Sequence, residues 1–289
     1  MAHSDVTVYV TDLDGTILDG NARLSPRTCA GLEELLDEGL LLTVASARSV
    51  VAMQLMFDGL RLPLPVVEFN GAFISNLATR EHLVTNAIGA DVVGDVYRTI
   101  TAAGCLPFVS TFDGDADRLY YSEILNDGTQ LYLDNRVADH DPRVRHTDDL
   151  RPHLTEEVAS LTVIDRVEPV KELRLKLEDE FGDRLSLVDF DSLYFTGWHW
   201  MTVHDARATK DQALLEMLRR EGLDGAEVVA FGDSSGDLPL FRVADRAIAV
   251  ANASDELMSM ATEVTGANYE DGVVEFLERD WNGARSQRP

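Results

Sequence analysis

Two aspartates set two residues apart, Asp12 and Asp14, follow an apolar run over residues 6–10 and lead into Gly15 and Thr16. Carboxylates at i and i+2 near a strand end can point to the same side. The C-terminal edge of an open α/β sheet is where ligands bind. Gly15 allows a tight turn there, and the Thr16 hydroxyl can fix it. The same residues also describe a plain Asx-turn, so the pair alone leaves both readings open. A second acidic cluster, Gly232-Asp233-Ser234-Ser235-Gly236-Asp237, follows the apolar run 228–231. Acids at the ends of two parallel strands can converge on one cation, and aspartate oxygens suit a hard ion such as Mg²⁺. A polar turn again fits this cluster equally well. Lys210 is one of only three lysines, with Lys171 and Lys176, and it opens a helical stretch over 210–220. A cation opposes the dipole at a helix start. Such a local conflict points to function, against the plainer reading of a solvated lysine. Ser46, in Ser46-Ala47-Arg48 after the apolar run 40–44, can offer its hydroxyl and the amides of a following helix to an anion.

These residues need a scaffold that brings distant segments to one edge. Apolar runs at 6–10, 40–44, 66–69, 228–231 and 247–250 read as strands covered on both faces. Between them lie helices. Cys29, Leu32, Leu35 and Leu36 share one face of a helix that Ser25-Pro26 starts and Gly39 closes. Residues 46–57, 210–220 and 271–278 read as further helices. Strands alternating with helices indicate βαβ units and a parallel sheet. The middle differs. Runs at 106–111, 118–122, 159–164 and 185–190 read as strands, several with polar alternation, and 89–103 and 167–181 as helices. This pattern suits a sheet with one face packed by helices and the other open. Residues 126–151 are polar and weakly patterned and receive no assignment, and the tail 281–289 reads as frayed. The expected organisation is α/β: a core domain from residues 1–77 and 201–289, interrupted by an α+β domain at 78–200.

Composition bounds the partners. The chain holds 51 acids against 25 Lys and Arg, a net charge of −26. No basic run exists to neutralise nucleic-acid phosphates, and an anionic membrane surface would repel the chain. At 45% hydrophobic residues the charge does not signal disorder. The longest apolar run, 40–47, is strand-sized, and the N-terminal residues do not read as a secretory signal. A soluble cytoplasmic protein, a monomer or small homo-oligomer, is expected. Cys29 and Cys105 follow no metal or redox spacing and read as two free buried thiols. His199 and His204 lack a third ligand for zinc.

In their order along the chain, the four elements resemble the motifs of the haloacid dehalogenase-like superfamily of phosphohydrolases. Asp12-Leu13-Asp14-Gly15-Thr16 matches the first motif, Ser46 the second, Lys210 the third, and Gly232-Asp233 through Asp237 the fourth. Glu68-Phe69-Asn70-Gly71-Ala72, Val250-Ala251-Asn252-Ala253 and Asp271-Gly272-Val273 look like segments of its Cof-type subfamily (subclass IIB, with an α/β cap). The resemblance covers both ends of the chain, and the inserted domain falls where that subfamily places its cap. It implies a Rossmann-like core with a parallel sheet plus an inserted α+β cap domain that chooses the substrate. Three departures stand out: Ala47 where Gly is usual, Asp211 where Gly is common, and Gly236 where Asn is usual. The last removes an outer contact to the metal.

The resemblance also implies a mechanism. Asp12 would attack phosphorus and form an aspartyl-phosphate. Asp14 would protonate the leaving alcohol and then take a proton from water. Mg²⁺ would be held by Asp12, the Asp14 carbonyl and Asp233. Lys210 and Ser46 would contact phosphoryl oxygens, and Asp237 would orient Lys210 or the metal's waters. Thr16, Arg48, Asn70 and Asn252 would support the site, Asn252 by bracing the fourth-motif loop. In the cap, Tyr120, Tyr194, Trp198 and His199 are candidate substrate contacts, the aromatics by stacking. The implied activity is a Mg²⁺-dependent phosphatase acting on a small phosphorylated metabolite, a sugar phosphate. The alternatives are a sugar phosphomutase or a glycosyl-phosphoglycerate or sucrose-phosphate phosphatase. The intact set of six polar residues argues against a non-catalytic binding module.

Overall fold

The computed structural model describes residues 6–191 and 196–286. The first part of the chain runs β1 (Thr7–Thr11), α1 (Pro26–Asp37), β2 (Leu41–Val44), α2 (Val50–Met56), β3 (Val66–Glu68), β4 (Phe73–Ser75) and β5 (His82–Thr85). The middle carries α3 (Val93–Ala102), β6 (Phe108–Phe112), β7 (Asp117–Tyr121), α4 (Asp127–Ala138), β8 (Val144–His146), β9 (Glu157–Asp165), α5 (Val167–Phe181), β10 (Leu185–Asp191) and β11 (His199–Asp205). The last part carries α6 (Lys210–Arg220), β12 (Glu227–Gly232), α7 (Leu238–Val243), β13 (Arg246–Val250), α8 (Asp255–Met258), β14 (Glu263–Thr265) and α9 (Gly272–Ser286). One unit takes the chain up to Leu83 and again from Thr209; the other is Val84–Ala208.

In the first unit β14-β13-β12-β1-β2 form a parallel sheet in that order, with Thr11 opposite both Val44 and Phe231, and β3-β4-β5 form a separate small sheet in which β3 and β4 are antiparallel. Unbroken apolar runs fit because both faces are covered: Tyr9, Leu42, Val229 and Phe231 pack with Leu32 of α1, Met53 of α2 and Leu277 of α9. Each such side chain contributes about 1.5–3 kcal/mol on burial. Ser25 caps α1 by accepting the Thr28 N–H at 2.9 Å, and Gly39 closes it at φ 96°. Three expectations need correction. Residues 46–57 are not one helix, because the Ser46 N–H still donates to Val67 and holds that backbone extended. The helix begins at Val50 with Ser49 as its cap, so Ser46 sits in the preceding loop and presents no helix-start amides. The tail is not frayed at 281–286. α9 runs on to Ser286, and the Trp281 indole packs against the core and donates to Glu38 at 2.9 Å. Cys29 is only half-buried, whereas Cys105 is buried as expected, and both are free.

The second unit holds a mostly antiparallel sheet in the order β10-β11-β9-β6-β7-β8. One face packs against α3 and α5 through Val96, Leu161, Val170, Leu173, Met201 and Val203. The other face was expected open, but Phe108, Leu119, Ile164, Trp198 and Trp200 meet Leu133 of α4 there. Helix α4 lies in the unassigned stretch 126–151. Its start is marked by a capping box in which Asn126 accepts from the Thr129 amide and the Thr129 hydroxyl accepts from the Asn126 amide. Strand β11, absent from the sequence assignment, lies between β10 and β9, with Met201 paired to both Asp189 and Val163.

Candidate active site

The site is built where β1, β12 and α6 end or begin. The Asp12 N–H bonds the Phe231 carbonyl at 3.1 Å, carrying the β1–β12 pairing one residue past the strand. Gly15 at φ 81° then turns the chain so tightly past the fourth motif that a Cβ there would lie 2.4 Å from an Asp233 oxygen. Lys210, first residue of α6 and 5% exposed, donates to Asp12 Oδ1 and Asp237 Oδ1, at 2.7 Å each. The two acids explain a cation at a helix start. Asp237 is fully buried, and its other oxygen accepts the Asp233 and Ser234 amides at 3.1 and 3.3 Å. The Thr16 hydroxyl, expected to fix its own turn, instead donates to Asp233 at 3.3 Å. Carboxylate oxygens of Asp12, Asp233 and Asp237 all lie within 4.8 Å of one another.

Charge in this cluster is unbalanced. Three carboxylates face one ammonium in a buried place. Burial pushes the Asp12 carboxyl well above its ordinary range, against the pull of Lys210. Burial, with Asp237 and its charge nearby, pushes Asp233 up to about 7. Burial opposes the Lys210 ammonium, but Asp12 and Asp237 together hold its pKa above the ordinary value. A divalent cation offsets such an excess. Both Asp237 oxygens are bonded, whereas Asp12 and Asp233 each keep one oxygen that accepts no hydrogen bond among the described residues, so these two are the acids with capacity to hold one.

Asp14 and Arg48 form a two-pronged pair at 2.6 Å on each prong, with 26% and 16% of their side chains exposed. The Ser46 hydroxyl oxygen accepts the Arg48 N–H at 3.3 Å. Asn70 is 6% exposed, and its N–H bonds the Ser46 carbonyl at 2.9 Å. Its side-chain nitrogen has no partner among the described residues. Phe69, Asn70 and Gly71 hold φ of 49°, 56° and 111°, a conformation costing on the order of 1–3 kcal/mol at each non-glycine. Asn252 braces the first motif rather than the fourth: its side-chain amide donates to the Gly15 carbonyl at 2.8 Å.

Sequence reasoning missed Asn268, whose N–H bonds Asn252 and whose side chain bonds the Leu18 carbonyl, at 2.8 and 2.7 Å. It gave Glu68, quoted only as part of the segment 68–72, no role of its own; an acid inside an apolar strand is the signal that marks it. The proposed substrate contacts of the second unit are engaged within that unit. Tyr120 stacks on His153 with centroids 3.7 Å apart and donates to Glu156. Arg166 covers the Trp198 ring at 3.8 Å. His199 lies 2.9 Å from both Asp189 and Asp191, while His204 faces the Ala159 carbonyl, so the two histidines share no ligand. Tyr120, Trp198 and His199 are each buried. Tyr194 lies outside the described residues.

The family model for haloacid dehalogenase-like hydrolase matches residues 9–277. The 5-amino-6-(5-phospho-D-ribitylamino)uracil phosphatase YitU of Bacillus subtilis is 25% identical over 271 residues, covering 92% of this chain and 94% of its own. The crystal structure of TM0651 from Thermotoga maritima is 26% identical, with a TM-score of 0.76 over 95% of this chain and 97% of its own. The HAD subclass IIB sugar phosphatase BT4131, 18% identical, matches in fold with a TM-score of 0.73, covering 94% of this chain and 98% of its own. Among the described residues no helix is long and apolar enough to cross a membrane.

Proposed function

Because the chain belongs to the haloacid dehalogenase-like hydrolases, as a phosphatase whose parallel-sheet core carries an inserted α+β cap, we propose that it hydrolyses a small phosphorylated metabolite, a sugar phosphate, with Mg²⁺ and through an aspartyl-phosphate. The observation that carries this reading is the buried line Asp12–Lys210–Asp237 beside Asp233, with more negative than positive charge. The activities of two relatives support the substrate class. YitU acts on a phosphorylated ribityl chain, and BT4131 is called a sugar phosphatase. We assign the choice of substrate to the cap, expected at 78–200, and the reaction to a cytoplasm in which Cys29 and Cys105 stay reduced.

Asp12, Asp233 and the Asp14 carbonyl would hold the ion. When bound, Mg²⁺ offsets phosphoryl charge and lets an anionic nucleophile approach an anionic ester. Lys210 donates to only one of the two lone pairs of Asp12 Oδ1, and the second oxygen attacks phosphorus in line. The P–O bond to the alcohol breaks as the Asp12–phosphorus bond forms, and Asp14 gives the departing oxygen its proton. Asp14 then takes a proton from the water that attacks the aspartyl-phosphate. Inorganic phosphate leaves and the Asp12 carboxylate returns. Both Asp14 oxygens accept from Arg48 in this structure, so Arg48 must release the acid as the ester arrives. Ser46 donates its hydroxyl to a phosphoryl oxygen.

A panel of phosphorylated metabolites, read by phosphate release with and without Mg²⁺, tests the proposal. Isomerised sugar phosphate in place of free phosphate would mean a mutase. Asp12→Asn is expected to abolish turnover, and near-normal rates in that variant would overturn the nucleophile assignment.

A further inference from the structure

Glu68 is fully buried at the end of β3. A carboxylate survives there only if its oxygens are bonded, and both are. Oε2 accepts the Val50 N–H, the first amide of α2, at 2.5 Å. Oε1 accepts the Ser75 hydroxyl. Ser75 Oγ in turn lies 2.7 Å from His82 Nδ1, which is itself 3.2 Å from Glu68 Oε1. With the serine proton given to Glu68, the imidazole must donate from Nδ1. The His82 ring is held against Phe73, centroids 4.5 Å apart. A buried polar line thus runs from the start of β5 through β4 and β3 to the start of α2.

Each end of Glu68 reaches a segment that forms the site. Its backbone leads into the left-handed turn Phe69–Gly71, and its carboxylate holds the residue that follows the loop 46–49. The two segments bond each other directly: the Phe69 N–H donates to Arg48 O at 3.1 Å and the Asn70 N–H to Ser46 O at 2.9 Å. Three successive positive φ angles persist only where the surroundings enforce them. Glu68 is the side chain that ties turn and loop together. We propose that Glu68 is a positioning residue for the Ser46–Arg48 loop, with Ser75 and His82 fixing its carboxylate. The inference rests on the phosphatase reading in taking that loop as the receiver of substrate phosphate. Glu68 touches no reacting atom. Its loss lets the loop drift and weakens phosphate binding rather than the chemical step.

The test uses the full chain with Mg²⁺. It measures binding of inorganic phosphate by calorimetry, together with kcat and KM for p-nitrophenyl phosphate. Glu68→Ala is expected to raise the phosphate Kd and KM together by about tenfold or more, with kcat changed less than about threefold. Glu68→Gln, which keeps an acceptor for Val50, recovers most of that loss. Ser75→Ala and His82→Gln move Kd in the same direction by a smaller factor. An unchanged Kd in folded Glu68→Ala, a loss confined to kcat, or no rescue by glutamine overturns the proposal. If Glu68→Ala does not fold, Ser75→Ala and His82→Gln decide it by the same readout, and unchanged Kd in both overturns it. A wild-type protein that binds phosphate but turns over no ester fails the phosphatase reading, and the Kd comparison still decides this one. A wild-type protein that binds no phosphate overturns the positioning role itself.

Discussion

Asp12 and Asp233 sit at the ends of neighbouring strands, yet their surroundings differ. Asp12 shares Lys210 with Asp237, whereas among the described residues the Asp233 carboxylate accepts a hydrogen bond only from the neutral Thr16 hydroxyl. A neutral partner leaves its charge for the metal to offset. Mg²⁺ at about 100 times its Kd should stabilise the wild type by about 2.7 kcal/mol. In Asp233→Asn the gain in melting temperature on adding Mg²⁺ should disappear, as measured by thermal denaturation with and without chelator. An equal shift in both proteins would remove Asp233 from the ligand set. Residue identity made Asp12, Asp14, Lys210 and Asp233 legible as candidates. Partner choice was not legible: that Thr16 serves Asp233 and Asn252 serves Gly15 depends on segments more than 200 residues apart.

The strands β1, β2 and β12 could be read because burial on both faces leaves unbroken apolar runs. Helix α4 could not, since its buried residues are only Gly128, Thr129 and Leu133, too few for an apolar stripe. Gly128 is needed because a Cβ would lie 2.4 Å from the Trp198 indole, a contact between elements distant in sequence. The meeting of α6 with the Phe69–Gly71 turn is similar. A Cβ on Gly71 would lie 2.5 Å from the Thr209 carbonyl oxygen, which is backbone and cannot swing aside. Gly71→Ala should therefore cost at least about 2 kcal/mol of stability. It should also displace Lys210 and lower turnover more than tenfold. A variant with unchanged melting temperature and activity would show that the turn is free to move.

For the molecule as a whole, a net charge of −26 accompanies a site expected to take an anion. A field of this sign slows encounter at low ionic strength. Raising salt from about 20 to about 200 mM should increase kcat/KM for a phosphoester by shortening the Debye length. A flat or falling profile would show that the local field of the site dominates. Stability should also respond to acid. His204 is 1% exposed, and burial pushes its pKa down from the ordinary 6.5 to about 4. Above 6.5 neither state holds the proton. Below it the unfolded chain binds the proton first, so stability falls as pH drops through the window from 6.5 to 4. The loss from this residue is about 2 kcal/mol between pH 7 and pH 5. His204→Gln, which retains a donor for Ala159, should lose correspondingly less in urea denaturation at the two pH values. Equal losses would assign the acid sensitivity elsewhere.

The sequence by itself determined the chemistry on offer and the fold class. Residue type decides what a side chain can do, and apolar periodicity decides which faces must be covered. The spacing of four short motifs carried the resemblance to a family whose model spans residues 9–277. Only the tertiary structure decided which atoms meet: Lys210 between two carboxylates, Arg48 on Asp14, Asn268 behind Asn252, and Glu68 joining a strained turn to a loop. It also showed that Tyr120, Trp198 and His199 spend their polar and aromatic groups on neighbours. A hydrogen bond depends on distances of a few tenths of an ångström between groups far apart along the chain, and no one-dimensional pattern carries that information.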